Sequence, residues 1–225
     1  LAMIGTVKGY PVEIVMSKAV SIERQLMIKA YGAKVTLTPA EHGTDGAILK
    51  ARELVKQFSD KYFMPDQFSN EYNKLAHYEN TAEEIWRQTE GGIDFLVSSL
   101  GTSGTIMGIG RYLKEKNPAV CVVEAHPERG HYIQGLKNME EAIVPAIYDP
   151  SQIDESIMVP SEMAFEMTRR IVREEGIFCG MSSGAAMYAA CELAKRAIKG
   201  NMVVIFPDRG DKYLSTELFR GGEEE

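Results

Sequence analysis

Phe95-Leu96-Val97-Ser98-Ser99-Leu100-Gly101-Thr102-Ser103-Gly104-Thr105 sets the pattern for the rest of the chain. Its apolar and small residues end in two glycines flanking hydroxyls, and Ile106 to Lys116 then carries apolar residues at helical spacing. This is a strand, a tight turn and a helix N-terminus. Gly101 and Gly104 let the backbone turn sharply and come close to a ligand. The hydroxyls of Thr102, Ser103 and Thr105 can converge with the free N–H groups of the first helical turn. Such a place suits a phosphate, because the helix dipole and the donors both favour an anion. The same residues also suit an ordinary strand-to-helix turn that is merely small and polar. The stretch has neither the Gly-Lys-Ser/Thr ending of a Walker A loop nor a clean G-x-G-x-x-G.

Outward from this unit, strands and helices alternate. Residues 1–8 read as a helix closed by Gly9, and residues 12–16 alternate as a strand. Ser21 is placed to cap a helix through Ala30 that Gly32 stops. A strand over 35–38, a helix over 46–58 and a short strand over 62–64 follow. Thr81-Ala82-Glu83-Glu84 has the form of a capping box opening a helix through Thr89. After the Phe95 unit come a strand over 121–125 and a long irregular segment over 126–152. A strand over 156–159, helices over 161–175 and 184–199, a last strand over 202–206 and a loose tail over 221–225 complete the pattern. Such alternation predicts an α/β fold, a mainly parallel sheet with helices on both faces. Two bodies are expected, residues 1–68 as a smaller domain and 69–225 as a larger one.

The bulk properties fit this class. The 225 residues are 44% hydrophobic and 25% charged, enough for a real core. A net charge of −7 argues against nucleic acid or anionic lipid as general partners. No apolar run approaches membrane-spanning length and no secretory signal is visible. Cys121, Cys179 and Cys191 have no metal-like spacing and read as reduced residues of a cytoplasmic protein. Leu1-Ala2-Met3-Ile4 reads as the middle of a helix, so the start of the chain reads as cut.

Ligands of such sheets sit beyond the carboxyl ends of the strands. Three loops there carry polar chemistry: Gln67-Phe68-Ser69-Asn70, Gly101 to Thr105, and Cys179-Gly180-Met181-Ser182-Ser183-Gly184. The third can equally be a serine cap with glycines that ease packing. Two helix-opening loops of this kind in one chain point to a phosphorylated or polar cofactor. His42, His77, His126 and His131 show no metal spacing and read as solvated or core residues. Asp208-Arg209-Gly210-Asp211 follows a buried strand and reads as an active-site loop or a solvated turn.

These loops, with Gly176 to Gly184 and Asp208 to Thr216, stand in an order and spacing similar to the cysteine synthases (O-acetylserine sulfhydrylases). Phe178-Cys179-Gly180 and Asp208-Arg209-Gly210-Asp211 resemble the cysteine synthase B branch, and the likeness runs from Leu1 to about Phe219. The resemblance implies fold type II of the pyridoxal-phosphate enzymes, with pyridoxal 5′-phosphate as cofactor. It assigns Gly101, Thr102, Ser103, Gly104 and Thr105 to the cofactor phosphate and Ser182 to the pyridine nitrogen. A neutral hydroxyl at that nitrogen suits β-elimination. Gln67 matches a residue near the substrate carboxylate, and Gly135 falls in a segment that approaches the active site. The implied reaction replaces the acetate of O-acetylserine by sulfide or thiosulfate, in a homodimer.

None of the lysines stands in a motif matching the family's Schiff-base lysine, so no catalytic lysine is assigned, and roughly the N-terminal quarter of the family's length is expected to be missing. The 225 residues alone are therefore expected not to turn over. Two other readings stay open: a cystathionine β-synthase or serine/threonine dehydratase relative, and a noncatalytic truncated paralogue acting as a binding module. No metal is expected.

Overall fold

A computed structural model describes residues 1–196 and 199–220 and divides the chain into two compact units. The first holds Leu1–Pro65 with the described residues from Asp211 onward; the second is Asp66–Gly210. The loose tail expected over 221–225 lies outside the described residues.

In the first unit, α1 (Ala2–Lys8) ends at Gly9, whose φ of 72° is the left-handed cap that glycine takes most easily. β1 (Glu13–Ser17) and β2 (Lys34–Thr38) pair in parallel, joined by α2 (Ile22–Ala30), and α3 (Gly43–Gln57) packs on both strands. Ser21 occupies the cap position of α2, but its side chain makes no capping bond. α3 starts at Gly43, ahead of the expected Gly46. The strand expected over 62–64 does not form: Phe63 is 88% exposed, and Tyr62 instead donates its hydroxyl to Glu13 Oε2 at 2.6 Å. The stretch from Asp211, expected in the larger body, clusters with this unit. Ser215 binds the Glu23 carboxylate through its N–H at 2.6 Å and its hydroxyl at 2.7 Å, and Arg24 bonds the Tyr213 hydroxyl.

The second unit opens with α4 (Glu71–Ala76), a π-helical turn over His77–Thr81 and α5 (Ala82–Gln88). The expected capping box at Thr81 is absent because Thr81 keeps helical angles and its hydroxyl bonds His77 Nδ1 at 3.0 Å. β3 (Phe95–Ser99), α6 (Gly104–Lys116), β4 (Cys121–Pro127), β5 (Glu155–Val159), α7 (Ser161–Glu175), α8 (Met181–Ala194) and β6 (Met202–Val204) follow, and α9 (Glu217–Arg220) belongs to the first unit. α8 starts at Met181 rather than at the expected Gly184, because extended Gly180 already accepts the Ser183 N–H at 3.1 Å. Its expected end near Lys199 falls partly on residues outside those described.

The four strands run in the order β5-β4-β3-β6, every pair parallel. Register partners Leu96↔Val122 and Val97↔Val123 are all fully buried. Neighbouring residues of a strand face opposite sides, so both faces of the sheet are covered. Leu96 and Val122 share a cluster with Ile106, Ile109 and Leu113 of α6, and α8 packs on all four strands. From β3 the chain steps to β4 and β5 on one side and later to β6 on the other. The carboxyl end of β3 is therefore the point where strand order reverses, where such folds open a ligand crevice. Among the described residues no helix is long and apolar enough to cross a membrane.

Candidate active site

The Gly101–Thr105 loop leaves β3 at that reversal. Ser103 is held at a φ of 69°, a left-handed conformation rare for a residue with a side chain, immediately before α6. It occupies the cap position without making a capping bond, and its buried hydroxyl has no partner among the described residues. Thr102 Oγ1 turns inward instead, accepting the Gly104 N–H at 3.3 Å and the Asn73 Nδ2 amide at 3.0 Å. A buried helix N-terminus whose capping residue makes no side-chain bond, beside an unsatisfied buried hydroxyl, is a set of donors shaped for an anion. The residues present thus fit a cofactor phosphate.

Two other segments close on this loop. Asp66, at a φ of 42°, accepts the Phe68 N–H at 3.2 Å and the Ser69 hydroxyl at 2.7 Å, and Asn70 caps α4 through the Tyr72 N–H at 3.0 Å. These bonds fix the turn that leaves the Gln67 side chain exposed. The amide of Asn73 spans both loops, donating to Gln67 O at 2.7 Å as well as to Thr102. A Cβ on Gly104 would lie 2.1 Å from Asn73 Oδ1, so only glycine admits this clamp. On the other side a Cβ on Gly101 would lie 2.6 Å from the carbonyl oxygen of Gly135, while Lys137 donates its N–H to Leu100 O at 2.8 Å. Lys137 is itself buried: its ammonium bonds Ile143 O at 3.3 Å and lies 5.3 Å over the Phe68 ring, bracing the irregular segment against the Gln67 turn.

The structure thus gathers Gln67, Gly101–Thr105 and Gly135. Among the described residues no hydrogen bond joins Ser182 to this group. Ser182 is buried in the first turn of α8, which packs on β3. The turn before it is pinned to the loop after β6 by Gly180 N–H to Asp208 O at 3.2 Å, Gly210 N–H to Phe178 O at 3.1 Å and an antiparallel bridge between Cys179 and Arg209. Burial pushes the Cys179 thiol up, away from the reactive thiolate. Sequence reasoning missed Asn73 and Lys137 and read His77 as solvated or core. His77 Nε2 in fact meets Thr105 Oγ1 at 3.2 Å. The glycines beside these residues are visible in the sequence, but their partners are set only by the fold. Among the described residues no group of His, Cys, Asp and Glu could hold a metal ion.

The family described as pyridoxal-phosphate dependent enzyme matches residues 1–208. The cysteine synthase of Aquifex aeolicus is 48% identical over 97% of this chain and 68% of its own length. The cysteine synthase B of Escherichia coli is 41% identical over 100% of this chain and 73% of its own. Among solved structures, an O-ureido-L-serine-bound lysine-to-alanine mutant of O-ureido-L-serine synthase superposes with a TM-score of 0.92 at 37% identity, over 100% of this chain and 72% of that one. The cysteine synthase of Entamoeba histolytica does so with a TM-score of 0.87 at 38% identity, over 97% of this chain and 67% of that one. With a phosphate-shaped loop at the strand reversal and relatives of this closeness, the chain belongs to the cysteine synthases of the pyridoxal-phosphate dependent enzyme family.

Proposed function

We propose that this chain carries the cofactor site of a cysteine-forming enzyme that replaces the acetate of O-acetylserine by sulfide or thiosulfate, giving cysteine or S-sulfocysteine. The observation that carries the reading is the N-terminus of α6, where the capping residue Ser103 makes no side-chain bond and its buried hydroxyl is unsatisfied among the described residues. Pyridoxal 5′-phosphate, when bound, supplies the electron sink that lets a leaving group depart from the β-carbon. Gly101, Thr102, Ser103, Gly104 and Thr105 hold its phosphate, and Ser182 offers a neutral hydroxyl to the pyridine nitrogen. Gln67 binds the substrate carboxylate from its exposed turn, and Gly135 brings the 126–152 segment to the site, where it helps select the sulfur donor. The details at Phe178-Cys179-Gly180 and Asp208-Arg209-Gly210-Asp211 support the B branch. The smaller body corresponds to the remainder of an N-terminal domain and the larger to the cofactor-binding domain of a cytoplasmic homodimer. No lysine among residues 1–225 is assigned to the cofactor.

The test supplies the protein with pyridoxal 5′-phosphate and O-acetylserine and follows products by mass spectrometry with sulfide and then thiosulfate. Cysteine and S-sulfocysteine are the expected products where a cofactor lysine outside residues 1–225 is supplied, while residues 1–225 alone are expected to bind the cofactor without turnover. Keto acid from serine or threonine without replacement would point to a dehydratase, and no turnover even with that lysine supplied to a binding module; either overturns the reading. Borohydride reduction followed by peptide mapping checks the lysine: label on any lysine of residues 1–225 refutes that assignment.

A further inference from the structure

His77 stands at the start of the π-helical turn, half-buried, with both ring nitrogens engaged by hydroxyls: Nε2 with Thr105 Oγ1 at 3.2 Å and Nδ1 with Thr81 Oγ1 at 3.0 Å. The approach is built into α6. A Cβ on Gly108 would lie 2.3 Å from Lys74 O and 2.9 Å from His77 Cβ, so the missing side chain lets the helix lie against this turn. π-turns often occur at functional positions, and here the turn carries both His77 and its partner Thr81. Burial pushes the His77 pKa down, which favours a neutral ring with one N–H.

A neutral ring allows two chains of hydrogen bonds. If Nδ1 carries the proton, Nε2 takes the proton of the Thr105 hydroxyl, and only lone pairs of Oγ1 remain for whatever lies at the loop. If Nε2 carries it, His77 donates to Thr105 Oγ1, the Thr81 hydroxyl donates to Nδ1, and the Thr105 proton is free to point at an acceptor. A phosphate offers only acceptors to such a group. We propose that His77 is a positioning residue that turns the Thr105 hydroxyl into a phosphate donor, and that a bound phosphate selects the Nε2–H tautomer. The inference rests on Gly101–Thr105 being the phosphate loop. It extends the site to Thr81, which the sequence offers only as the start of a capping box.

Nitrogen-15 NMR of the imidazole, with and without inorganic phosphate as the probe, tests the proposal in the unmutated protein. The expected result is a shift of His77 towards Nε2–H as phosphate saturates the loop, alongside movement of the Gly101–Thr105 amide signals. Amide movement with an unchanged imidazole would overturn the role of His77 alone. No amide movement would overturn the phosphate loop itself. Dissociation constants for pyridoxal 5′-phosphate and for pyridoxal supply a second readout. His77→Phe leaves the Thr105 hydroxyl present but no longer fixed, so it should weaken the phosphorylated ligand about threefold and leave pyridoxal unchanged. His77→Gln, whose amide can still donate to Thr105, should recover most of that loss. Equal weakening of both ligands, or no recovery with glutamine, refutes the proposal.

Discussion

Gly104→Ala and Asn73→Ala should fail to add. The new Cβ of Gly104→Ala would stand 2.1 Å from Asn73 Oδ1 and 2.5 Å from its Cγ, so the asparagine must swing away. In doing so it loses its bonds to Gln67 O at 2.7 Å and Thr102 Oγ1 at 3.0 Å. Two such bonds contribute about 2 kcal/mol together. Replacing a helical glycine by alanine returns about 1 kcal/mol, so the single variant loses about 1 kcal/mol net. Asn73→Ala loses the same two bonds with no return, about 2 kcal/mol. In the double variant the obstacle is already gone and only the gain from alanine remains, so the net loss is about 1 kcal/mol rather than the additive value of about 3. Urea unfolding followed by the fluorescence of Trp86, the single tryptophan, reports on the unit that holds both residues. Additive losses would show that Asn73 and Gly104 do not share the space and would refute the clamp.

Three more outcomes follow from other contacts. Gly184→Ala would place its Cβ 2.0 Å from Ala164 O and 2.1 Å from Thr168 Oγ1, forcing α8 off α7; a loss of about 3 kcal/mol or more in urea unfolding is expected. Gly101→Ala, with its Cβ 2.6 Å from Gly135 O, should weaken pyridoxal 5′-phosphate binding about tenfold by pushing two site segments apart, measured by fluorescence titration. Bonds from Thr36 and Tyr62, with Lys34 beside them, hold the Glu13 carboxyl down at about 2 from its ordinary 4.5. A depressed folded-state value stabilises the protein above the unfolded value, and that stability is lost as pH falls from about 4.5 towards 2. Glu13→Gln should therefore flatten the fall of the unfolding midpoint over that window, with a difference of about 2 kcal/mol at neutral pH, and an unchanged slope would count against it.

What the sequence makes legible here is whatever a residue does for its own neighbourhood. Leu96 and Val97 are both apolar because both faces of β3 are covered, and that continuous run marks a buried parallel strand before any partner is known. Gly9 ends a helix through its own backbone angle. Gly101 and Gly104 announce a close approach, and a phosphate loop is the natural guess. What they approach is not legible, because the Gly135 carbonyl and the Asn73 amide arrive from distant parts of the chain. Tyr62-Phe63-Met64 has strand composition, but among the described residues no strand pairs with it, and a strand exists only as a pair. Thr81-Ala82-Glu83-Glu84 has the letters of a capping box, yet a helix already runs through it and the threonine hydroxyl goes to His77. Asn73, His77 and Lys137 carry no pattern of their own: an amide, an imidazole and an ammonium acquire their roles from the carbonyls, hydroxyls and ring that the fold sets against them. The loop shaped for an anion is therefore readable from the chain, and the residues that brace it are readable only from the structure.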